Sequence, residues 1–369
     1  MIDHCSFIKK EERVLESPNT IYEELIKRKQ DFIFLRHSLK GDHDSILKTF
    51  EASKLSEETI SLGQAMPPMR YFKEYFLNVR LLAKKIGKNQ DVTFVGFDPL
   101  NALVGINLKR KGLVKKSIYF TADYSIKRFD NKVLNWIYHL IDRFCVRKSD
   151  EVWNVSSRIC DVRRKMGLPE NKNIFLPNLP SDDSKRFFDN KRDKNVLITL
   201  GLIDKQLDFI NLFDAINLLE RENMSIKLLI AGAGPKEEEI RRYVKENGLD
   251  KDVIFLGYID HDRALEHISN SGIGMALYNG EWGFNYFGDS MKCREFFSFG
   301  LPVITTDTHS TVDDIKKFKA GIVTEMSAQS YKKAIKEIID NYETYSENSL
   351  RLGQEYKNNF KDRIDSLCK

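Results

Sequence analysis

The chain has 369 residues, 41% of them hydrophobic and 31% charged, with a formal net charge of +5. That length exceeds what one hydrophobic core serves, so two domains are expected, and the composition is that of a soluble globular protein. Basic residues are spread along the chain, which gives no argument for a nucleic-acid partner, and no apolar run approaches the ~18 residues of a membrane span.

The first residues, MIDHCSFIKKEERV, contain no apolar segment of the secretory kind, so a cytoplasmic protein is expected. From Asp31 onward, apolar β-rich runs alternate with helical patterns. FIFLRHSL, DVTFVGF, SIYFTAD, EVWNVS and NIFLP read as strands, and YFKEYFLNVRLLAKKIGK, DPLNALVGINLKRKG, NKVLNWIYHLIDRF and SRICDVRRKMG as helices. The first of these helices combines apolar residues with Lys and Arg, a composition that suits either a cover for the sheet or peripheral contact with an anionic membrane. The polar stretch LPSDDSKRFFDNKRDKN reads as a linker. The alternation then restarts with NVLITLG, SIKLLIAGAG, DVIFLGYI, GIGMALY, LPVITTD and AGIVTE, each followed by a helical stretch, and YSENSLRLGQEYKNNF forms a last helix. The fold class is therefore α/β, with two successive doubly wound units. The expected boundaries are 1–185, 186–345 and a terminal helix, 346–369, that packs back on the first unit.

Cys5, Cys145, Cys160, Cys293 and Cys368 are odd in number and lack CxxC spacing, which fits reduced thiols rather than disulfides or zinc. The histidines show no metal-ligand spacing, so no metal site is expected. His4 and His37 fall near strand ends of the first sheet, where packing or exposure is the simpler reading. Asp260-His261-Asp262 imitates a metal-binding DxD, but it directly precedes the helix RALEHISNS, where aspartate is a favoured N-cap.

In GDSMKCREFFSFGLPVITTD, Lys292 and Glu295 are three residues apart and share one helix face. Met291, Phe296 and Phe299 can face inward, Gly300 stops the helix, and VITT forms a buried strand. A helix start opening toward a sheet edge is suited to anions and hydroxyls, the alternative being a surface ion pair.

IAGAGPKEEEIRRYVKENGLDKDVIFLGYI, HISNSGIGMALY and GDSMKCREFFSFGLPVITTD, with NVLITLGLIDK, resemble in order and spacing the donor domain of GT-B glycosyltransferases, glycosyltransferase family 4 and its relatives in particular. The first half matches only in its strand-helix rhythm and in YFTADY. The resemblance implies two facing Rossmann-like lobes, with a nucleotide-sugar donor on the second and a glycan or lipid-linked acceptor on the first. It also implies that Glu295 holds the ribose hydroxyls, that Lys292 sits beside the diphosphate as charge develops there, and that Asp289, Ser290 and Met291 border the diphosphate at the start of the helix. Tyr258 lies where relatives approach the base; rim packing is the alternative. Lys205 can reach the diphosphate or remain a solvated turn lysine.

The departures matter as well. Relatives carry a glutamate eight positions before the one matched by Glu295, and Phe287 stands there, leaving Asp289 and Glu281 as substitutes for contact with the sugar. Leu202 replaces an expected arginine after Gly201, and the Gly-Gly near the N-terminus is missing. The glycines of IAGAGP suit close strand-helix packing more than phosphate binding, and Trp282, Phe284, Tyr286 and Phe287 form either a lid over the donor sugar or a small satellite core. Asp123, at the end of a strand in the first half, is the candidate for deprotonating or orienting an acceptor hydroxyl, with a turn or cap role as the alternative. The expected activity is metal-independent hexosyl transfer in polysaccharide biosynthesis, with no cofactor beyond the nucleoside-diphosphate-sugar substrate. The rival functions are a UDP-sugar epimerase and a non-catalytic nucleotide-sugar-binding protein.

Overall fold

The computed structural model describes residues 1–5, 17–38, 43–62, 69–87, 91–180, 192–280 and 285–368. They form two compact units, 1–177 with 359–369, and 178–358. Much of the linker stretch lies outside the described residues.

The first unit contains β1 (Ile2–Cys5), α1 (Ser17–Lys27), β2 (Phe32–Ser38), β3 (Ser45–Glu51), β4 (Lys54–Ile60) and α2 (Met69–Ile86). It continues with β5 (Thr93–Phe97), α3 (Pro99–Arg110), β6 (Lys116–Thr121), α4 (Lys132–Lys148), β7 (Glu151–Asn154), α5 (Ser157–Lys165) and β8 (Asn173–Phe175). One eight-stranded sheet runs in the order β4-β3-β2-β1-β5-β6-β7-β8. It is parallel from β2 to β8, with β3 and β4 added antiparallel at one edge. Its core joins Leu82 of α2 and Val104 and Leu108 of α3 to Ile2, Leu35 and Phe94 of the sheet, with a second cluster around Tyr119, Cys145 and Val152. His37 is buried between Ser45 Oγ at 2.8 Å and Asn78 Oδ1 at 3.0 Å, a packing role; the His4 side chain lies outside what is described.

Four elements here have no counterpart in the sequence reading: β1, α1 and the β3–β4 hairpin. The hairpin turns on Ala52 and Ser53, both at positive φ (49° and 64°). That is the twist-matched two-residue turn that usually signals itself by Asn-Gly. Here neither residue is a turn former, and the Ala52 amide is held instead by Asp31 Oδ1 at 3.1 Å.

The second unit contains β9 (Asp193–Leu200), α6 (Phe209–Glu220), β10 (Lys227–Ala231), α7 (Glu237–Glu246), β11 (Val253–Gly257), α8 (His261–Asn270) and β12 (Ser271–Ala276). After these come α9 (Met291–Ser298), β13 (Val303–Thr306), α10 (Thr311–Phe318), β14 (Gly321–Thr324), α11 (Ala328–Asp340) and α12 (Tyr342–Asp365). The six-stranded sheet is wholly parallel, in the order β11-β10-β9-β12-β13-β14. This is the doubly wound order whose direction reverses between β9 and β12, where a crevice opens beyond the strand ends. α9 is set against β12 by Phe296: a side-chain carbon at Gly274 would fall 2.3 Å from its ring. The end of α12 groups with the first unit, where Arg363 lies over the Trp153 ring at 5.9 Å and faces Glu151 at 3.6 Å.

Candidate functional site

The loops leaving β9 and β12 are zipped together at the point of reversal. Leu207 and Tyr278 form a β-bridge, the Asn279 amide donates to Gln206 O at 2.8 Å, and the Asp208 amide donates to Leu277 O at 3.0 Å. The glycines of IAGAGP brace this platform from behind. A β-carbon on Gly232 would sit 1.9 Å from Gly201 O, and one on Gly234 would sit 2.2 Å from Ile203 O. They serve backbone-to-backbone packing.

α9 starts on this platform. Ser290 is its N-cap, accepting from the Cys293 amide at 3.5 Å, while Arg294 N donates to Ser290 O. The amides of Met291 and Lys292 remain outside the helical ladder, as first-turn amides do, and face the crevice end of the helix. Lys292 reaches back over Gly201, where an added β-carbon would meet its Cε at 3.0 Å, and its Nζ stands 5.0 Å from the centre of the Tyr278 ring. Burial lowers the Lys292 ammonium to about 8, against smaller opposing pulls from Cys293 and Asp204.

Glu295, one turn along, is 9% exposed. Its Oε1 has no hydrogen-bond partner, and the nearest opposite group is His261 Nδ1 at 3.7 Å. Burial pushes the carboxyl up to about 7. A buried acceptor without a donor is costly, and such a group beside a cation and free helix amides is a binding-site signature.

The other expected residues separate. Asp289 is spent on scaffolding: its oxygens accept from Arg294 Nε at 2.8 Å, Thr311 Oγ1 at 3.1 Å and the Asn178 amide at 2.8 Å. Ser290 is the cap, tied by its own amide to Thr311 Oγ1 at 3.1 Å, and Met291 is half-buried. Lys205 is exposed, with its carbonyl taken by Asn279 Nδ2. Tyr258, just past β11, is 74% exposed. Glu281, Trp282 and Phe284 lie outside the described residues, whereas Tyr286 and Phe287 meet edge to face at 5.1 Å. Asp260 caps α8, accepting from the Arg263 amide at 2.9 Å. His261, passed over as part of a false metal motif, is the residue that faces Glu295; only the fold, which brings the start of α8 to α9, reveals it. Among the described residues no group of three or more His, Cys, Asp or Glu is placed to hold a metal ion.

In the first unit, Asp123 follows β6 at the carboxyl edge of the sheet, exposed and ion-paired with Arg128. Burial would lower the Arg128 guanidinium, but Asp123 beside it, with Tyr138 and Asp98, holds it above its usual value. Asp98 ends β5, next to the other point of reversal, between β1 and β5. It has φ 71° and ψ 157°, a region that glycine alone adopts freely. Sequence reading missed Asp98, which it placed only at the start of the helix DPLNALVGINLKRKG.

Residues 181–357 match the profile of the family described as Glycosyl transferases group 1. No curated protein matches the sequence. Among solved structures, the chain is similar to WaaG, a glycosyltransferase involved in lipopolysaccharide biosynthesis, at TM-score 0.62 and 13% identity over 100% of this chain and 99% of that one. A glycosyltransferase from Rickettsia africae gives 0.59 at 12% identity, covering 82% and 80%. Anabaena Alr3699/HepE in complex with UDP gives 0.57 at 14%, covering 79% and 81%. These likenesses show the GT-B fold of two Rossmann-like units.

Proposed function

We propose that this chain, whose second unit belongs to glycosyl transferases group 1, moves a hexosyl group from a nucleoside-diphosphate sugar to a hydroxyl of a glycan or lipid-linked acceptor. The protein is a glycosyltransferase with a nucleotide-sugar donor, and the epimerase and non-catalytic readings are not favoured. The observation that carries the site assignment is Glu295: a buried carboxylate oxygen without a donor, one helical turn from Lys292 and the free amides of α9. Ribose hydroxyls would supply the missing donors. The diphosphate would take the Met291 and Lys292 amides and the Lys292 ammonium.

In the reaction the acceptor oxygen bonds to the anomeric carbon as the bond from that carbon to the phosphate oxygen breaks. The electron pair leaves with the diphosphate, whose growing charge Lys292 stabilises. The hydroxyl proton passes to a base, for which Asp123 is the first-unit candidate and Asp98 its neighbour. With one cation and two helix amides on the diphosphate, the transfer needs no metal ion. Cytoplasmic location is supported by the free thiols Cys145, Cys160 and Cys293. Among the described residues no helix is long and apolar enough to cross a membrane.

Calorimetry tests the assignment. Glu295→Ala should weaken nucleoside-diphosphate binding by ~1.5–3 kcal/mol, the range for hydrogen bonds to a charged group. Lys292→Ala should cost more in turnover than in binding, and turnover should survive a chelator. Unchanged affinity in Glu295→Ala sinks the donor assignment; activity restored only by manganese or magnesium sinks metal independence.

A further inference from the structure

In the second unit α8 and α9 both pack on β12, and both begin at the carboxyl edge of the sheet because each follows a parallel strand. Asp260 caps α8 by accepting from the Arg263 amide at 2.9 Å, which makes His261 the first residue of that helix. Side chains in a first turn lean back toward the helix start. Glu295 lies one turn into α9, and there the two residues meet: His261 Nδ1 is 3.7 Å from Glu295 Oε1. Lys292 of the same helix points elsewhere, over Gly201 and toward the Tyr278 ring, so it is the imidazole that faces the carboxylate.

The separation and the chemistry of the two groups select what fits between them. At 3.7 Å the pair is beyond the roughly 2.7–3.2 Å of an N–H···O hydrogen bond, and Oε1 is buried and accepts from no group among the described residues. One oxygen about 2.8 Å from each atom closes the gap. That oxygen must donate to a carboxylate, which only accepts, and accept from an imidazole Nδ1–H, which only donates. A hydroxyl does both with a single atom. A phosphate oxygen has no proton to donate, and an ammonium has no lone pair to accept with. The His261 side chain is 23% exposed, so a ligand in the crevice can reach it.

We propose that His261 is a specificity-determining residue for the donor: its Nδ1–H and Glu295 Oε1 hold one hydroxyl of the ribose 2′,3′-diol between them, so that the enzyme selects ribonucleoside-diphosphate sugars over deoxyribonucleoside ones. The neighbouring hydroxyl donates to the other carboxylate oxygen of Glu295. This rests on the donor reading of Glu295 and adds the residue that reads the diol with it. A missing hydroxyl is costly at such a site because it leaves a buried carboxylate oxygen and an imidazole N–H without a partner at once.

The test is calorimetry on the full chain with UDP, ADP and GDP, the tightest of which is then compared with its 2′-deoxy and 3′-deoxy forms. The wild-type protein should bind each deoxy form ~10-fold or more weakly. His261→Leu should weaken the ribonucleotide by about 5-fold, the worth of one ordinary hydrogen bond, and should bind one of the two deoxy forms as the wild-type protein does. His261→Asn, whose side-chain amide nitrogen can take the place of Nδ1, should restore the ribonucleotide affinity. Circular dichroism checks the folding of each variant, and His261→Ala carries the same comparison if the leucine variant unfolds. Two results overturn this proposal while the donor reading stands: equal weakening of all three nucleotides in His261→Leu, which marks a structural role, or no weakening of any. Wild-type protein that binds none of the nucleotides, or binds the ribo and both deoxy forms alike, overturns the Glu295 assignment and this proposal with it.

Discussion

Glu295 is a residue at which stability and function oppose each other. Its carboxyl is raised by burial to about 7 from the ordinary value of 4.5. The folded protein therefore holds this proton more tightly than the unfolded chain does. The associated stability is fully present below pH 4.5 and is lost as pH rises to and through 7. Glu295→Gln removes that titration and keeps the shape. It should make the ligand-free protein more stable at pH 8 by about 2–3 kcal/mol and no more stable below pH 4.5, while weakening nucleoside-diphosphate binding. Urea unfolding at several pH values measures the first effect and calorimetry the second. A variant equally stable at pH 8 would mean that a donor not seen here already satisfies the carboxylate. Lys292 bears on the same profile: binding needs Glu295 ionised and Lys292 charged, so affinity should peak between about 7 and 8. Asp98 poses the parallel question in the first unit. Glycine would accept its backbone angles without strain, so Asp98→Gly should fold at least as well as wild type. If Asp98 orients the acceptor, turnover falls by ~10²-fold or more with donor affinity intact; unchanged turnover would leave its strain without a functional account.

At the scale of elements, the platform depends on two loops touching through their backbones. Gly232 has φ 142° and no room for a β-carbon against Gly201. Gly232→Ala should therefore destabilise the second unit by more than about 2 kcal/mol and disturb Lys292, which rests on Gly201; thermal unfolding and nucleotide titration report both. The sequence already disclosed this packing role, because two glycines ahead of Pro235 leave little besides a tight turn. It disclosed α9 as well, through the stop Gly300 and the inward-facing Met291, Phe296 and Phe299 before it. Other parts were hidden for physical reasons. β1 has only four residues, IDHC, with polar ones among them, and is a strand by virtue of its parallel neighbours β2 and β5. The β3–β4 turn uses Ala52 and Ser53 where a propensity argument needs glycine or asparagine. The approach of His261 to Glu295 joins helices about thirty residues apart, which no local spacing encodes. Asp289 looked like a ligand because it precedes the helix; the buried Arg294 beneath it made it scaffold.

At the scale of the whole molecule, the chain's end belongs to its beginning. α12 starts among the residues of the second unit, yet Phe360 and Ile364 are buried with the first, Arg363 covers Trp153, and Asp365 pairs with Arg28. A chain ending at Asn358 would expose the apolar surface those two side chains cover. At ~1.5–3 kcal/mol for each buried side chain, the first unit should lose ~3–6 kcal/mol, a large share of the stability of an ordinary domain. The donor site is built from residues between Gly201 and Glu295, braced by Thr311, all of them in the second unit, so nucleoside-diphosphate affinity should stay within a few-fold of the full chain. Urea unfolding followed through the buried Trp153 reads the first unit, and calorimetry reads the second. If the shortened chain unfolds like the full one, α12's last turns are an ornament on the sheet; if nucleotide binding disappears with them, the donor platform needs support that none of its own contacts reveals.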